Sequence, residues 1–274
     1  MVRDVSRGLV IFHVLCYNTL TVKTLQVSLF AFAVLFNPLQ TFAGQSSGIK
    51  VIASFYPVYI MAMNVARNVP GVSVADLTSL LTGCLHDYSL TVSDMKELAD
   101  ADIFLTSGAG MESFIDRAAS RYPALKRADL SEGVSLIKEG PRANPHVWVS
   151  VSNAIIEVNN LGRAMERFDP AHAQLYRKNT AEYSAKLEAL RDKMRLELAP
   201  YRGRKIITFH EAFPYFAREF GLEIAAVVER EPGSSPSAKE LADTIELIRK
   251  SRIKALFSEP QYPDIAAKTI ARET

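Results

Sequence analysis

Hydrophobic and polar positions alternate between two periods along this chain. Short apolar runs at 50–54 (KVIAS), 102–106 (DIFLT), 205–209 (KIITF), 223–228 and 254–258 read as buried strands, and 72–81 is strand-like until Gly83 breaks it. Between them lie segments of helical spacing. Residues 58–68 turn Ile60, Met61, Val65 and Ala66 toward one side, Ser93 can cap a helix over 94–100, and 112–121 continues the pattern. Later helices are predicted over 212–220, closed by Gly221, over 237–250 and over 263–271. This rhythm predicts an α/β fold with mainly parallel sheets.

The middle of the chain breaks the rhythm. Residues 151–167 read as one helix, and Asp169-Pro170 starts another, with Asp as cap and Pro at the first position. Tyr176, Tyr183, Leu187, Leu190, Met194 and Leu198 form a one-sided apolar stripe that ends near Pro200 and Gly203. Roughly thirty residues at ~1.5 Å each give a rod of ~45 Å. Such a rod either packs along the surface of one domain or joins two lobes as a rigid spine. The β/α pattern covers 44–168 and 201–274, on either side of the helix at 169–200. The second β/α stretch ends on a helix without a closing strand and reads as cut short.

Residues 1–43 read as an export leader. An apolar run at 27–36 (VSLFAFAVLF) follows Lys23, and Thr41-Phe42-Ala43 offers small residues at a cleavage site. The run is shorter than the ~20 residues a transmembrane helix needs. An upstream apolar stretch, 9–20, is interrupted by His13 and Asn18; it reads as an extended leader or sequence ahead of the true start, against the alternative of a two-segment membrane anchor. Cys16 would leave with the leader, so Cys84 stands alone and no internal disulfide is expected. No small residues precede Cys16 to support lipid anchoring, and the expected location is the periplasm. Without Arg3, Arg7, Lys23 and Asp4 the body carries 29 basic and 29 acidic side chains. A neutral body argues against nucleic acid as a partner and against broad attachment to anionic lipid.

Four histidines lie beyond the leader. His172 sits among polar residues in the first turn of the long helix and reads as solvated surface. His210 directly follows the KIITF strand, at the carboxyl edge where open α/β sheets bind ligands. His86 lies in Gly83-Cys84-Leu85-His86-Asp87-Tyr88-Ser89, and His146 in Asn144-Pro145-His146-Val147-Trp148. Three imidazoles from three loops can converge in one crevice, and three histidines with a fourth oxygen ligand suit tetrahedral zinc. Calcium or magnesium would call for oxygen-rich clusters. Spacing alone leaves the matter open, because no HExxH-type local signature is present.

These motifs carry a resemblance. Together with Ala53-Ser54-Phe55-Tyr56-Pro57, Ser107-Gly108-Ala109-Gly110-Met111-Glu112, Thr208-Phe209-His210-Glu211-Ala212-Phe213 and Ser258-Glu259-Pro260-Gln261-Tyr262, they make the chain, from about residue 50 onward, resemble the zinc and manganese substrate-binding proteins of ABC importers. The resemblance implies two β/α lobes joined by a long rigid helix with metal bound between them. It implies His86, His146 and His210 as metal ligands, Zn2+ as cargo with Mn2+ the alternative, and an inner-membrane permease as partner to a monomer without catalysis. Manganese-type relatives often carry Glu in place of His210, so histidine leans toward zinc. The family's fourth ligand, usually an Asp near the C-terminus, has no counterpart before Thr274; Glu259 or water are substitutes.

Several residues admit other readings. Gly108-Ala109-Gly110 mimics a dinucleotide fingerprint but lacks its third glycine, since residue 113 is Ser. Cys84 reads as a small buried residue rather than a soft ligand. Asp87 and Glu211 are either carboxylates orienting the adjacent histidines or plain helix-approach residues. Three histidines around an open zinc position also describe a zinc hydrolase with Glu211 or Glu259 as base, although no hydrolase motif accompanies them.

Overall fold

The computed structural model describes residues 48–78, 85, 88–115, 118, 121–140, 142–228, 236–259 and 264–274, and the backbone of 2–6 and 9–13. In chain order, β1 (Val2–Ser6) and β2 (Leu9–His13) form an antiparallel pair. A β/α region follows: β3 (Ile49–Ala53), α1 (Tyr56–Val65), β4 (Val72–Asp76), α2 (Val92–Ala99), β5 (Ile103–Thr106) and β6 (Lys126–Asp129). A short hairpin, β7 (Lys138–Glu139) and β8 (Arg142–Ala143), leads into two long helices, α3 (Val151–Phe168) and α4 (Ala173–Leu198). The chain then runs through β9 (Lys205–Thr208), α5 (Pro214–Phe220), β10 (Glu223–Val227), α6 (Ala238–Ser251), β11 (Ala255–Ser258) and α7 (Ile265–Glu273).

Apart from the β7–β8 hairpin, the described strands form two sheets. The first has order β4-β3-β5-β6 and is wholly parallel. Val51, Ile52 and Ala53 are all fully buried, because a parallel sheet covered on both faces leaves no polar side. Period-2 alternation splits the strand residues between two cores. Val51, Ala53, Ile103 and Leu105 pack toward α1 and α3, while Ile52 and Phe104 pack with Leu77, Leu98 and Ile115 on the opposite face. The second sheet has order β1-β2-β11-β9-β10. Ile207 and Leu256 pack with Ile248, Ala267 and Ile270 on one side, and Ile206 and Phe257 with Phe213 on the other. Here β2 runs parallel to β11, in register from Val10 opposite Ala255 to His13 opposite Ser258. Part of the segment read as leader therefore lies along the edge of this sheet.

Helix α4 begins against the first core and ends beside the second sheet. Tyr176, Asn179, Thr180 and Ser184 are buried, and Tyr183 and Leu187 pack at the core's margin. Further along, Leu190 is 46% exposed, so the apolar stripe outlasts the surface it covers. Asn179 Nδ2 donates to Val65 O and Arg67 O, satisfying carbonyls at the end of α1. Near the far end, Arg195 lies 3.8 Å from Glu219 of α5. The helix thus touches both lobes, as the spine reading requires.

Local departures from the sequence reading have physical reasons. Helix α2 is capped by Thr91 rather than Ser93, because Thr91 and Asp94 close a reciprocal capping box. Residues 109–115 form turns rather than the start of a helix, and most of 116–120 lies outside the described residues. Strand β4 stops at Asp76, where Asp76 Oδ1 accepts from the Thr78 amide. His172 is half-buried rather than solvated: its Nδ1 lies 2.8 Å from Asp169 Oδ2, which also accepts from Tyr176 Oη. Among the described residues no helix is long and apolar enough to cross a membrane.

Candidate metal site

His210 and Glu259 leave the carboxyl ends of the neighbouring parallel strands β9 and β11. Two residues of travel beyond Thr208 and one beyond Ser258 bring them together at the sheet edge. Glu259 Oε1 lies 2.9 Å from His210 Nδ1. A carboxylate oxygen can only accept here, so Nδ1 carries a ring proton. The His210 side chain is 6% exposed and that of Glu259 15%.

His146 reaches the same place from the other lobe. Pro145 precedes it, a 3-10 turn over Val147–Val149 follows, and Ser150 then caps α3 by accepting from the Asn153 amide. Asn144 Oδ1 accepts from the His146 backbone amide and lies 3.0 Å from His146 Nδ1. Since Asn144 Nδ2 donates to Glu211 O, the oxygen assignment is forced, and His146 Nδ1 must also be a donor. The two imidazole centroids are 4.7 Å apart at 87°, and both residues are buried. Two buried imidazoles side by side, each with its Nδ1 on an acceptor, are the type of donor pair that suits a borderline-soft divalent ion when both are neutral.

Contacts between lobes hold this juncture. Asn144 joins both, through Glu211 O and by accepting from Tyr215 Oη at its own carbonyl; the same Tyr215 oxygen accepts from the Ile137 amide. Glu219 of α5 accepts from Ser150 Oγ and from the Ser152 amide and hydroxyl, placing a buried carboxylate at the positive end of α3. Phe55 meets Trp148 edge-on at 4.7 Å, and Trp148 lies 5.4 Å from His146.

His86 lies outside the described residues, as do Cys84 and Asp87. Its flanks are fixed: Leu85 is fully buried, and the Tyr88 amide donates to Leu85 O. Tyr88 Oη donates to Asp94 Oδ2, and burial together with that carboxylate pushes the phenol up to about 12, so it stays a neutral donor. At the end of β4, burial raises Asp76 to about 6. Among the described residues no three His, Cys, Asp or Glu side chains form a metal cage; the structure brings together His146 and His210 of the predicted three. The Gly108-Ala109-Gly110 turn has its own explanation. All three residues have positive φ, a Cβ on Gly108 would fall 1.8 Å from Asp129 Oδ1, and the loop folds around the Glu112 carboxylate rather than a cofactor. The partners Asn144, Tyr215 and Glu219 carried no site role in the sequence reading, since only the packing of one lobe on the other gives them one.

A family model described as zinc-uptake complex component A, periplasmic, matches residues 51–274. The iron-binding protein YfeA of Yersinia pestis is 30% identical over 232 residues, spanning 82% of this chain and 74% of that protein. The high-affinity zinc uptake system protein ZnuA of Bacillus subtilis is 28% identical over 242 residues, spanning 82% and 75%. Among solved structures, FpvC of Pseudomonas aeruginosa in complex with Mn2+ has a TM-score of 0.71 at 29% identity, covering 82% of this chain and 85% of that one.

Proposed function

Since the chain belongs to the family of periplasmic zinc-uptake component A proteins, the non-enzymatic metal-binding subunits of ABC importers, we propose that it captures Zn2+ through His86, His146 and His210 and delivers it to an inner-membrane permease. The observation that carries this reading is the His146–His210 pair, 4.7 Å apart, with each Nδ1 committed to an acceptor. Imidazole donors favour zinc over the hard-oxygen cations, and a tetrahedral site needs one further ligand beyond three histidines. Glu259 already serves His210 Nδ1, which supports water or another carboxylate as that ligand. Manganese is the second reading, favoured by the relatives, since FpvC was solved with Mn2+.

The same reading gives the chain its layout. Residues 1–43 direct export, 44–168 and 201–274 form the two lobes, and 169–200 links them as a helix stiff enough to limit closure to small tilts. The exported form acts as a monomer in the periplasm. Export with cleavage after Ala43 would remove β1 and β2 and leave β11 at the sheet edge.

Trp148 provides the test, being the only tryptophan and close to His146. Zinc should change its emission at sub-micromolar concentration, tighter than the ~8.2 kcal/mol of micromolar binding. Manganese should compete poorly, and His210→Ala should weaken the zinc response by at least ~100-fold, since a ligand matters more than its outer-shell partners. An unchanged affinity in the His210 variant would defeat the assignment.

A further inference from the structure

Beneath the metal face of the first lobe lie two carboxyl groups that metal capture does not use. Glu157, on α3, is completely buried, and Glu112 is 6% exposed. Each is tied to a serine at the end of a central strand. Glu157 Oε1 lies 2.6 Å from Ser107 Oγ, which follows β5, and Glu112 Oε1 accepts from Ser54 Oγ, which follows β3, at 2.7 Å. Glu112 also accepts from the amides of Ser107 and Gly108. Glu112 thus receives three donors, one hydroxyl and two backbone amides. Glu157 has a single hydroxyl neighbour, and its Oε2 is buried without a hydrogen-bond partner among the described residues. No cation pairs with either group there; the charges that bear on Glu157 are Glu112 and Asp129, both of its own sign.

A carboxylate in that position would bury half a charge on an oxygen with nothing to bind it, beside a second anion. A carboxylic acid would not. Its O–H donates to Ser107 Oγ across the observed 2.6 Å, and its unpartnered oxygen is then an uncharged carbonyl. We infer that Glu157 is a positioning residue that holds a proton at neutral pH, and that this proton joins α3 to the strand-end loops bearing Ser107 and Ser54, bracing the metal face from below. The brace reaches the site through one packed path: Ser54 is followed by Phe55, which packs on Trp148, which packs on His146. Burial also raises Glu157 to about 8 and Glu112 to about 7, so the proton leaves Glu157 in mildly alkaline medium. The repulsion between the two carboxylates then loosens both loops. The link to metal rests on the zinc reading above; the proton does not.

Infrared difference spectroscopy of the metal-free wild-type chain at neutral pH reads the proton directly. A protonated-carboxyl C=O band should be present and should disappear on raising the pH by two units; Glu157→Gln should remove its most alkaline-titrating component and leave only the Glu112 component, which is lost at lower pH. No such band, or a band whose titration is the same in Glu157→Gln, overturns the inference. If Glu157→Gln fails to fold, the wild-type pH titration together with Glu112→Gln, which removes the neighbouring anion and should carry the loss of the band to lower pH, decides instead; a band that does not move overturns it. For the metal link, zinc affinity is followed from neutral to alkaline pH in both proteins. Histidine titration is common to both, so the ratio of wild-type to Glu157→Gln Kd isolates the brace, and it should rise about tenfold, the scale of an outer-shell effect. A flat ratio removes the link to metal. Failure of the wild type to bind zinc at any pH would instead count against the zinc reading, leaving the infrared result to stand alone.

Discussion

At the residue scale the site depends on protons as much as on nitrogens. An imidazole binds a metal through one ring nitrogen only if the other holds the proton, and here Glu259 and Asn144 decide that for His210 and His146. The two supports differ in strength. A carboxylate raises the basicity of its imidazole and a neutral amide does so less, so Glu259 is the stronger of the two supports. Glu259→Gln keeps the shape and removes the charge. Its zinc affinity should fall by about 10–100-fold with little change in melting temperature. Isothermal titration beside a thermal melt checks both halves of that statement. The sequence offered Glu259 as a substitute fourth ligand or a hydrolytic base, while its contact with His210 Nδ1 follows from the pairing of β9 with β11.

At the element scale the α3–α4 crossing sets how closely the long helix lies on the first lobe. Gly162 makes that approach possible: a Cβ there would fall 2.3 Å from Thr180 Oγ1 and 2.8 Å from Thr180 Cγ2. Thr180 is buried and stiff at χ1, so it cannot swing aside. Gly162→Ala should therefore destabilise the protein by roughly 1–3 kcal/mol, as overpacking does, despite alanine's better helix propensity. Adding Thr180→Ala should restore most of the loss; a denaturant titration of the single and double variants reads the coupling. The helices themselves were visible as periodicity and caps, with α3 starting at 151 as read. The glycine was not legible, because helical spacing says which face is apolar and nothing about how near another helix will come.

On the scale of the whole molecule, three half-buried or buried acids shift in one direction. Asp76 at about 6, Glu112 at about 7 and Glu157 at about 8 all stand above their ordinary values of 3.8 and 4.5, with desolvation the leading cause in each. The folded chain therefore binds protons that the unfolded chain has already released. Their stabilising contribution is complete below about pH 4 and is lost as the pH climbs through 6 to 8. The melting temperature of the metal-free protein should accordingly decline from pH 5 to pH 8, and the decline should be shallower in Glu157→Gln. Export has an equally direct check: intact mass of protein recovered from the periplasm should correspond to a chain beginning at Gly44. A mature chain that retains residues 1–43 would mean that β1 and β2 stay on the second sheet.

The α/β plan with mainly parallel sheets, the long helix and the positions of His146 and His210 at loop and strand ends followed from the sequence by itself. They rest on local causes: apolar period, caps, prolines and the direction of strands. Folding in three dimensions decided the rest. It brought residues 146 and 210 to ring contact, gave each imidazole its proton acceptor, shortened the segment after Gly108 into a turn around Glu112, and buried Glu157 where it has no counter-charge. Each of these depends on which surfaces meet across large separations in the chain, and desolvation and tautomer are properties of that meeting rather than of any residue's neighbours in sequence.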